Sequence, residues 1–504
     1  MTDAPSQEAK STQRVIAGTG GLMSPPGFSW ALFEFARNPY FMLIVTYVFP
    51  PYFAQYIVGD PVIGQATVAE ATKWAGIIGA LTAPVLGAMI DRGGKRKPLM
   101  MVFIAMLTVS AVSLWWSTSS AAPNPLDPGH PIFHPPTGGL GLYGTMTLLV
   151  LGFVGYTYSE MMHNAMLRTA GRPDALSQIS GAGIGLGQFS SALALGALAV
   201  VGLAIPALGK VDTGFLLQRG TGPIVALWLL VFVVPFFLYV PDGAPPGGTW
   251  IGAARQVFSK DGKFNPIASV LGIVDYFKGL FRQFPEAMKY LLAALIFKDG
   301  IIALLALGGV FSSGVLGWEF VENVIYGIWA SIFGAIGGLW LAGVMDRAYG
   351  PRQAIMIQLG ALCIVMLIAL GTTKESILYG LIPSGGVMHG LGIFETGSDL
   401  FYLAVIAVVA TLAAANISTS RYMMVVLAPR DRVAEFYGLF ALSSTATVWL
   451  GPMLTEWATR TFNDQRIGFS PVILLLAVGL GLMFLLKPET GAKGKLEFET
   501  PPGH

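Results

Sequence analysis

The stretch Gly87-Ala88-Met89-Ile90-Asp91-Arg92-Gly93-Gly94-Lys95-Arg96-Lys97 lies between two apolar runs, Trp74 to Ile90 and Pro98 to Trp116. A short polar loop with one carboxylate and four cations between two such runs reads as a turn at a membrane surface. Its cations avoid hydrocarbon and favour the cytoplasmic face. A degraded copy returns as Ala342-Gly343-Val344-Met345-Asp346-Arg347-Ala348-Tyr349-Gly350-Pro351-Arg352. The two Asp residues are 346 − 91 = 255 positions apart, half of a 504-residue chain. A loop repeated at half-length predicts two similar halves.

Composition agrees with a membrane solvent. The chain is 54% hydrophobic and 12% charged, too apolar for a soluble core with a charged surface. The net charge of +2 gives no nucleic-acid footprint. The single cysteine, Cys363, excludes a disulfide framework and a thiolate metal site. Residues 1–27 are polar and small, and the first apolar run is too long and aromatic for a cleaved leader.

Segments long enough to cross a hydrocarbon core of roughly 30 Å number twelve by inspection. They are 28–56, 66–90, 98–118, 140–166, 175–205, 221–240, 287–313, 320–345, 353–372, 399–427, 434–458 and 469–487. The expected fold is all-α and membrane-embedded, twelve helices in two pseudo-symmetric bundles of six. The expected organisation is an N-terminal tail (1–27), a first bundle (28–240), a linker with an interfacial helix (241–286), a second bundle (287–487) and a C-terminal tail (488–504). Of the 30 Lys and Arg, 22 fall on the side of the Asp91 loop and 6 on the other. That bias puts both termini and the linker in the cytoplasm.

Two cations, Arg37 and Lys298, fall inside spans. A charge at the centre of a spanning helix costs about 2.5–3.5 kcal/mol on insertion scales, so it is kept where it meets a partner or a cavity. Glu34 and Arg37 are three residues apart on one helical face and can pair. Pro39 follows them, removes a backbone hydrogen bond and frees a carbonyl nearby. Lys298 and Asp299 lie about 16 Å into the seventh span by helical rise. As neighbours in sequence they point to different faces, so each needs its own partner. Glu34, Arg37, Asn38, Lys298 and Asp299 are therefore the candidate substrate or coupling residues. The run Gly181 to Gly187 carries small residues at four-residue steps and predicts close helix packing. His163 and His389 read as isolated, without a second ligand at metal spacing. Glu319, Glu322, Glu395 and Asp399 fall at span ends and read as solvated. No metal or cofactor site is expected.

The pattern G-x-x-x-D-R-x-G-x-R at Gly87–Arg96 resembles the signature loop of the major facilitator superfamily, and its half-length copy suits that superfamily's two halves. A narrower resemblance is to the "unknown major facilitator" family, which groups bacterial permeases with fungal vacuolar amino-acid effluxers. Trp30-Ala31-Leu32-Phe33-Glu34-Phe35-Ala36-Arg37-Asn38-Pro39-Tyr40 is similar to its W-A-x-Y-D-x-A-N-S-x-Y opening. His163-Asn164-Ala165-Met166-Leu167 resembles its Y-N-A-x-L, and Phe297-Lys298-Asp299-Gly300 its Y-x-D-G. Glu435 to Ser443 is similar to its E-F-x-G-L-Y-x-L-S, with Gly451-Pro452 following. Arg37, Pro39 and Lys298 depart from the family pattern. The superfamily resemblance implies a cytoplasmic charge network that opens as the halves rock. Asp91, Arg92, Arg96, Glu160, Arg168, Asp346, Arg347 and Arg421 are its candidate members.

These readings lead to a secondary transporter of a small polar or zwitterionic solute, working by alternating access. Proton coupling and amino-acid export are the finer expectations. The chain is expected to be a monomer in a bacterial inner membrane. No G-x-x-x-x-G-K-[ST] loop is present to use ATP. The alternatives are a non-transporting sensor or assembly factor on the same fold, and a membrane-embedded enzyme, which the five dispersed histidines disfavour.

Overall fold

The computed structural model describes residues 20–92, 95–117, 139–172, 175–209, 214–243, 249–250, 259–260, 263–264, 277–387, 390, 392–428, 436, 439–440 and 447–487. Within them, the side chains at 83–85, 87–92, 168, 177, 207, 209, 259–260, 263–264 and 425 lie outside the description. The described chain is helical almost throughout. Its main helices are α1 (Pro25–Pro39), α2 (Pro61–Arg92), α3 (Arg96–Ser113), α4 (Gly141–Ala165), α5 (Leu176–Ala204) and α6 (Leu216–Tyr239). There follow α7 (Pro285–Phe311), α8 (Phe320–Ile336), α9 (Ala342–Tyr349), α10 (Pro351–Leu370), α11 (Gly397–Leu427), α12 (Leu450–Phe462) and α13 (Pro471–Phe484). Among the described residues, nine helices are long and apolar enough to cross a membrane. Two further helices, α2 and α4, have the length, 32 and 25 residues. In the expected eleventh span, 434–458, residues 434–435, 437–438 and 441–446 lie outside the description, and α12 begins within it at Leu450.

The two halves share details that composition alone would not impose. The first span runs from Pro25 to Val58 and the seventh from Pro285 to Leu316. Each begins with proline at the start of its helix, where the missing N–H costs nothing. Each ends in a π-helical turn, Phe53–Val58 and Ser312–Leu316, closed by a left-handed glycine, Gly59 (φ 82°) and Gly317 (φ 73°). Those glycines are 317 − 59 = 258 positions apart, close to the spacing of the two Asp loops. The first span has an extra π-helical stretch, Tyr40–Tyr47, starting directly after Pro39. The proline cannot donate to the turn before it, which is where a wider turn is admitted.

In the first half, α1 packs on α5 and α6, and α4 on α2 and α3. In the second, α7 packs on α13, and α11 on α8 and α10. Two seams join the halves, α2 against α12 and α5 against α8. Among the described residues, polar contacts between the halves lie at the end away from the Asp91 loop. Gln65 Nε2 donates to Thr459 Oγ1 (3.1 Å) and to the Gln465 carbonyl (2.9 Å). Gln465 Nε2 donates to the Pro61 carbonyl (2.9 Å), and Gln55 Nε2 to the Ser313 carbonyl (2.9 Å). Arg460 reaches Glu70 at 2.7 Å.

At the other end each half is clasped to itself. The Asp242 carboxylate accepts from the backbone N–H groups of Arg96 (2.6 Å) and Lys97 (2.9 Å), capping α3 from the end of α6. The Glu286 carboxylate accepts from the Lys487 N–H (2.8 Å), tying the start of α7 to the end of the last span. Of the expected interfacial helix at 265–289, residues 277–283 are helical and 265–276 lie outside the description. The carboxylates expected to be solvated are not all so. Asp399 is buried, accepts from Trp318 Nε1 (2.7 Å) and caps α11 with Thr396. Glu322 accepts from the Phe394 N–H (3.1 Å) and the Glu319 N–H (2.8 Å). Span ends here carry folded loops, whose backbone donors claim these oxygens.

Candidate functional site

The strongest cluster of charge inside the bundles lies where α1 crosses α4. Arg37 is 3% exposed, and its Nη2 donates to both oxygens of Glu34 at 3.0 and 2.8 Å. Its Nη1 reaches Glu160 Oε2 at 3.3 Å, and its guanidinium lies 4.1 Å over the Tyr156 ring. Pairing on three sides is what lets a guanidinium sit at this depth, about 18 Å along the helix from Pro25. Glu34 is 17% and Glu160 46% exposed, so the cluster is closed at Arg37 and open at Glu160.

The glycine run explains how α1 can carry these side chains against a neighbour. Gly183 and Gly187 of α5 face α1, where an added Cβ would lie 3.5 Å from Glu34 Cγ and 3.4 Å from Glu34 Cβ. Gly181 and Gly185 face open space. One stripe of the run makes the packing; the other does not.

His163 belongs to the same cluster, which corrects its reading as an isolated residue. Its ring is fully buried, stacked on Trp30 (3.9 Å) and Phe33 (4.4 Å). Nε2 lies 2.9 Å from the Trp30 carbonyl oxygen, while Trp30 Nε1 donates to the His163 carbonyl at 2.9 Å. Nδ1 lies 3.3 Å from Glu34 Oε1, out of line for a hydrogen bond. The sequence signal was present. His163 sits three residues, one helical turn, beyond Glu160, so the two share a face. Only the crossing of α1 and α4 shows that Glu34 meets that face.

Lys298 and Asp299 part company, as their adjacency requires. Lys298 Nζ lies 3.7 Å over the Phe440 ring, and Arg421 and Glu160 lie within its electrostatic reach. Glu160 belongs to the first half, so Lys298 addresses the Arg37 cluster across the interface. Asp299 is buried and turned into the second half, where Oδ2 accepts from the Gly451 N–H at the start of α12 (2.7 Å). It caps a helix there. Asn38 lies against Gly187.

The expected gating residues are scattered. The side chains of Asp91, Arg92 and Arg168 lie outside the described residues. Arg96 is buried and donates to the Ala165 carbonyl (3.1 Å), within its own half. Asp346 is half-buried beside Thr419, and Arg347 and Arg421 are exposed.

A model of the family described as "Vacuole effluxer Atg22 like" matches residues 157–495, about two thirds of the chain. The chain belongs to that family. The uncharacterized MFS-type transporter YxiO of Bacillus subtilis is 21% identical over 92% of this chain and 95% of its own length. Autophagy-related protein 22 of Yarrowia lipolytica is 23% identical over 70% of this chain and 58% of its own length. Among solved structures, the partially occluded inward-open xylose transporter XylE from E. coli superposes with a TM-score of 0.60. It is 13% identical, covering 94% of this chain and all of that one. The nucleoside transporter NupG superposes with a TM-score of 0.57 at 12% identity, covering 92% and 98%. At such identities the likeness concerns the fold, that of the major facilitator transporters. The protein is an integral membrane transporter of this type.

Proposed function

We propose that the protein is a secondary transporter of a small zwitterionic solute, proton-coupled and working by alternating access. The observation that carries this reading is the Arg37 cluster, with Lys298 of the other half within electrostatic reach of Glu160. A carboxylate open to a cavity, with a cation on either side of the interface, offers opposite charges to the two ends of a zwitterion. Two halves that each contribute a charge are drawn together only around an occupied site.

In this reading α2, α4 and the chain around α12 complete twelve spans with the nine apolar helices, and both termini face the cytoplasm. The seams then close the outer end, and the cavity opens inward. Asp91, Arg92, Arg96, Arg168, Asp346, Arg347 and Arg421 lie at the cytoplasmic face, where they form or release contacts as the halves rock. The chain acts as a monomer in a bacterial inner membrane, binds neither nucleic acid nor a cofactor, and is not an enzyme.

The test is a melting-temperature screen of purified protein against amino acids, sugars and organic acids, followed by flux of each hit in proteoliposomes. A zwitterion that stabilises the protein with concentration and is carried across the bilayer supports the reading. Stabilisation only by uncharged sugars would overturn the zwitterion assignment. Binding without flux would favour a sensor.

A further inference from the structure

We propose that Glu34 and His163 together form a proton-binding site, holding one exchangeable proton on a carboxylate oxygen or on Nδ1. Its use as the coupling site rests on the transport reading above; its existence does not.

The argument is one of donors and acceptors. The Trp30 carbonyl oxygen accepts only, so Nε2 of His163, 2.9 Å away, carries a hydrogen. A neutral ring then has its lone pair on Nδ1, 3.3 Å from Glu34 Oε1. Two acceptors at that distance, beside a fully buried ring, repel each other. One proton removes the conflict, as imidazolium against carboxylate or as carboxylic acid against neutral ring. The ring cannot avoid the choice by turning. It is stacked between Trp30 and Phe33 and locked to Trp30 by the reciprocal pair of hydrogen bonds.

Charge neutrality points the same way. On α1 the charged group facing the pair is Arg37, and on α4 the titratable groups are Tyr156 and Glu160. From α5, Gly183 and Gly187 face Glu34, and from α6 Phe236 faces the ring; neither helix brings a titratable group there among the described residues. From α3 the Arg96 guanidinium donates to the Ala165 carbonyl. Across the interface Lys298 lies within electrostatic reach of Arg421 and Glu160. The side chain of Arg168 lies outside the description. Arg37 pairs with both carboxylates, and a bound proton offsets the second negative charge. On release, the proton passes to water on the open side at Glu160, and the ring is left as the neutral Nε2–H form. The excess charge is then available to a second cation, either Lys298 or the ammonium end of a solute. That exchange is what coupling requires.

The test uses protein in which His130, His134, His389 and His504 are replaced, so that ring-15N histidine reports His163 alone. All four lie in segments away from the cluster in sequence. The expected result is an Nδ1 that carries a proton at low pH and becomes a bare lone pair as the pH rises. In Glu34→Gln that titration should vanish or move by at least about one pH unit. A bare Nδ1 at every value between about pH 5 and 9 overturns the proposal, as does a titration unchanged by Glu34→Gln. In proteoliposomes, with radiolabelled amino acids as the probe, His163→Gln should lose gradient-driven uptake far more than counterflow. The ratio of the two should fall about 5- to 150-fold, the usual size of a lost coupling. An unchanged ratio overturns the coupling role. If the wild type carries none of the probes, the zwitterion reading fails, and the ring spectrum still decides the proton site.

Discussion

Lys73 and Glu456, 383 positions apart in the chain, form an ion pair of 2.5 Å in which both side chains are largely buried. The pair joins α2 to α12 beside the Glu70–Arg460 bridge and the Gln65–Gln465 contacts. Contacts made in one arrangement of the halves and not in the other set the balance between the two. Lys73→Gln and Glu456→Gln should each open this end more often, and the double variant should recover part of the loss. A coupling of about 0.5–3 kcal/mol is expected from the double-mutant cycle. The measurement is labelling of Gln55→Cys, in a background lacking Cys363, by a reagent confined to each side of the bilayer. Equal labelling in all four proteins would remove the pair from gating.

Arg37 holds two carboxylates at once, so its loss leaves both uncompensated. Arg37→Met should destabilise the protein by about 3–5 kcal/mol, the cost of stranding a buried charge. Adding Glu34→Gln should return much of that stability without returning transport. Arg37→Lys should keep the charge and still fail, because an ammonium cannot fork onto Glu34 while reaching Glu160. Melting temperature and flux, measured on the same preparations, separate these outcomes.

The glycine run offers a prediction with two signs. Gly187→Val places methyl groups against Asn38 and Glu34, where even a Cβ is 3.3–3.4 Å from its neighbours. It should cost about 1–3 kcal/mol by overpacking and displace α1. Gly185→Ala meets nothing within 4 Å and should gain about 0.5–1 kcal/mol from the stiffer helix. Loss of stability in Gly185→Ala would mean that α5 packs on its other face.

Asp299 and Lys298 should behave as independent residues. Asp299→Leu removes the acceptor that caps α12 and should cost about 0.5–2 kcal/mol or more, whereas Asp299→Asn keeps an oxygen in place and should cost less. Combining Asp299→Asn with Lys298→Met should give roughly the sum of the two losses in melting temperature. Mutual rescue would show that they pair after all.

The sequence makes the repeat legible because a charged turn between apolar segments is dictated by the bilayer. Glu34 and Arg37 can be paired on paper because an α-helix puts residues three apart on one face. Asp299 shows where such reasoning ends. Its partner is a backbone N–H 152 residues away, exposed because the α12 helix begins at Leu450. Helix periodicity does not report where a distant helix starts. His163 failed differently: a search for metal spacing looks along the chain, whereas its partner Glu34 comes from a crossing helix. The burial of Asp399 and the turning of Glu322 onto backbone donors likewise depend on folded loops, which hydropathy treats as water-facing.

The clasps formed by Asp242 and Glu286 have a consequence for how the chain can be cut. Asp242 fastens the last helix of the first half to α3, and Glu286 fastens the first helix of the second half to Lys487. Neither contact uses the residues between Gly243 and Pro285, so each bundle has its own closure and the chain between them is a covalent leash. Two polypeptides, 1–243 and 277–504, made from separate genes in one cell, should therefore meet in the membrane and reassemble through the two seams. Asp242→Ala should impair that reunion more than it impairs the uncut chain, because in the intact protein the leash keeps the halves at hand.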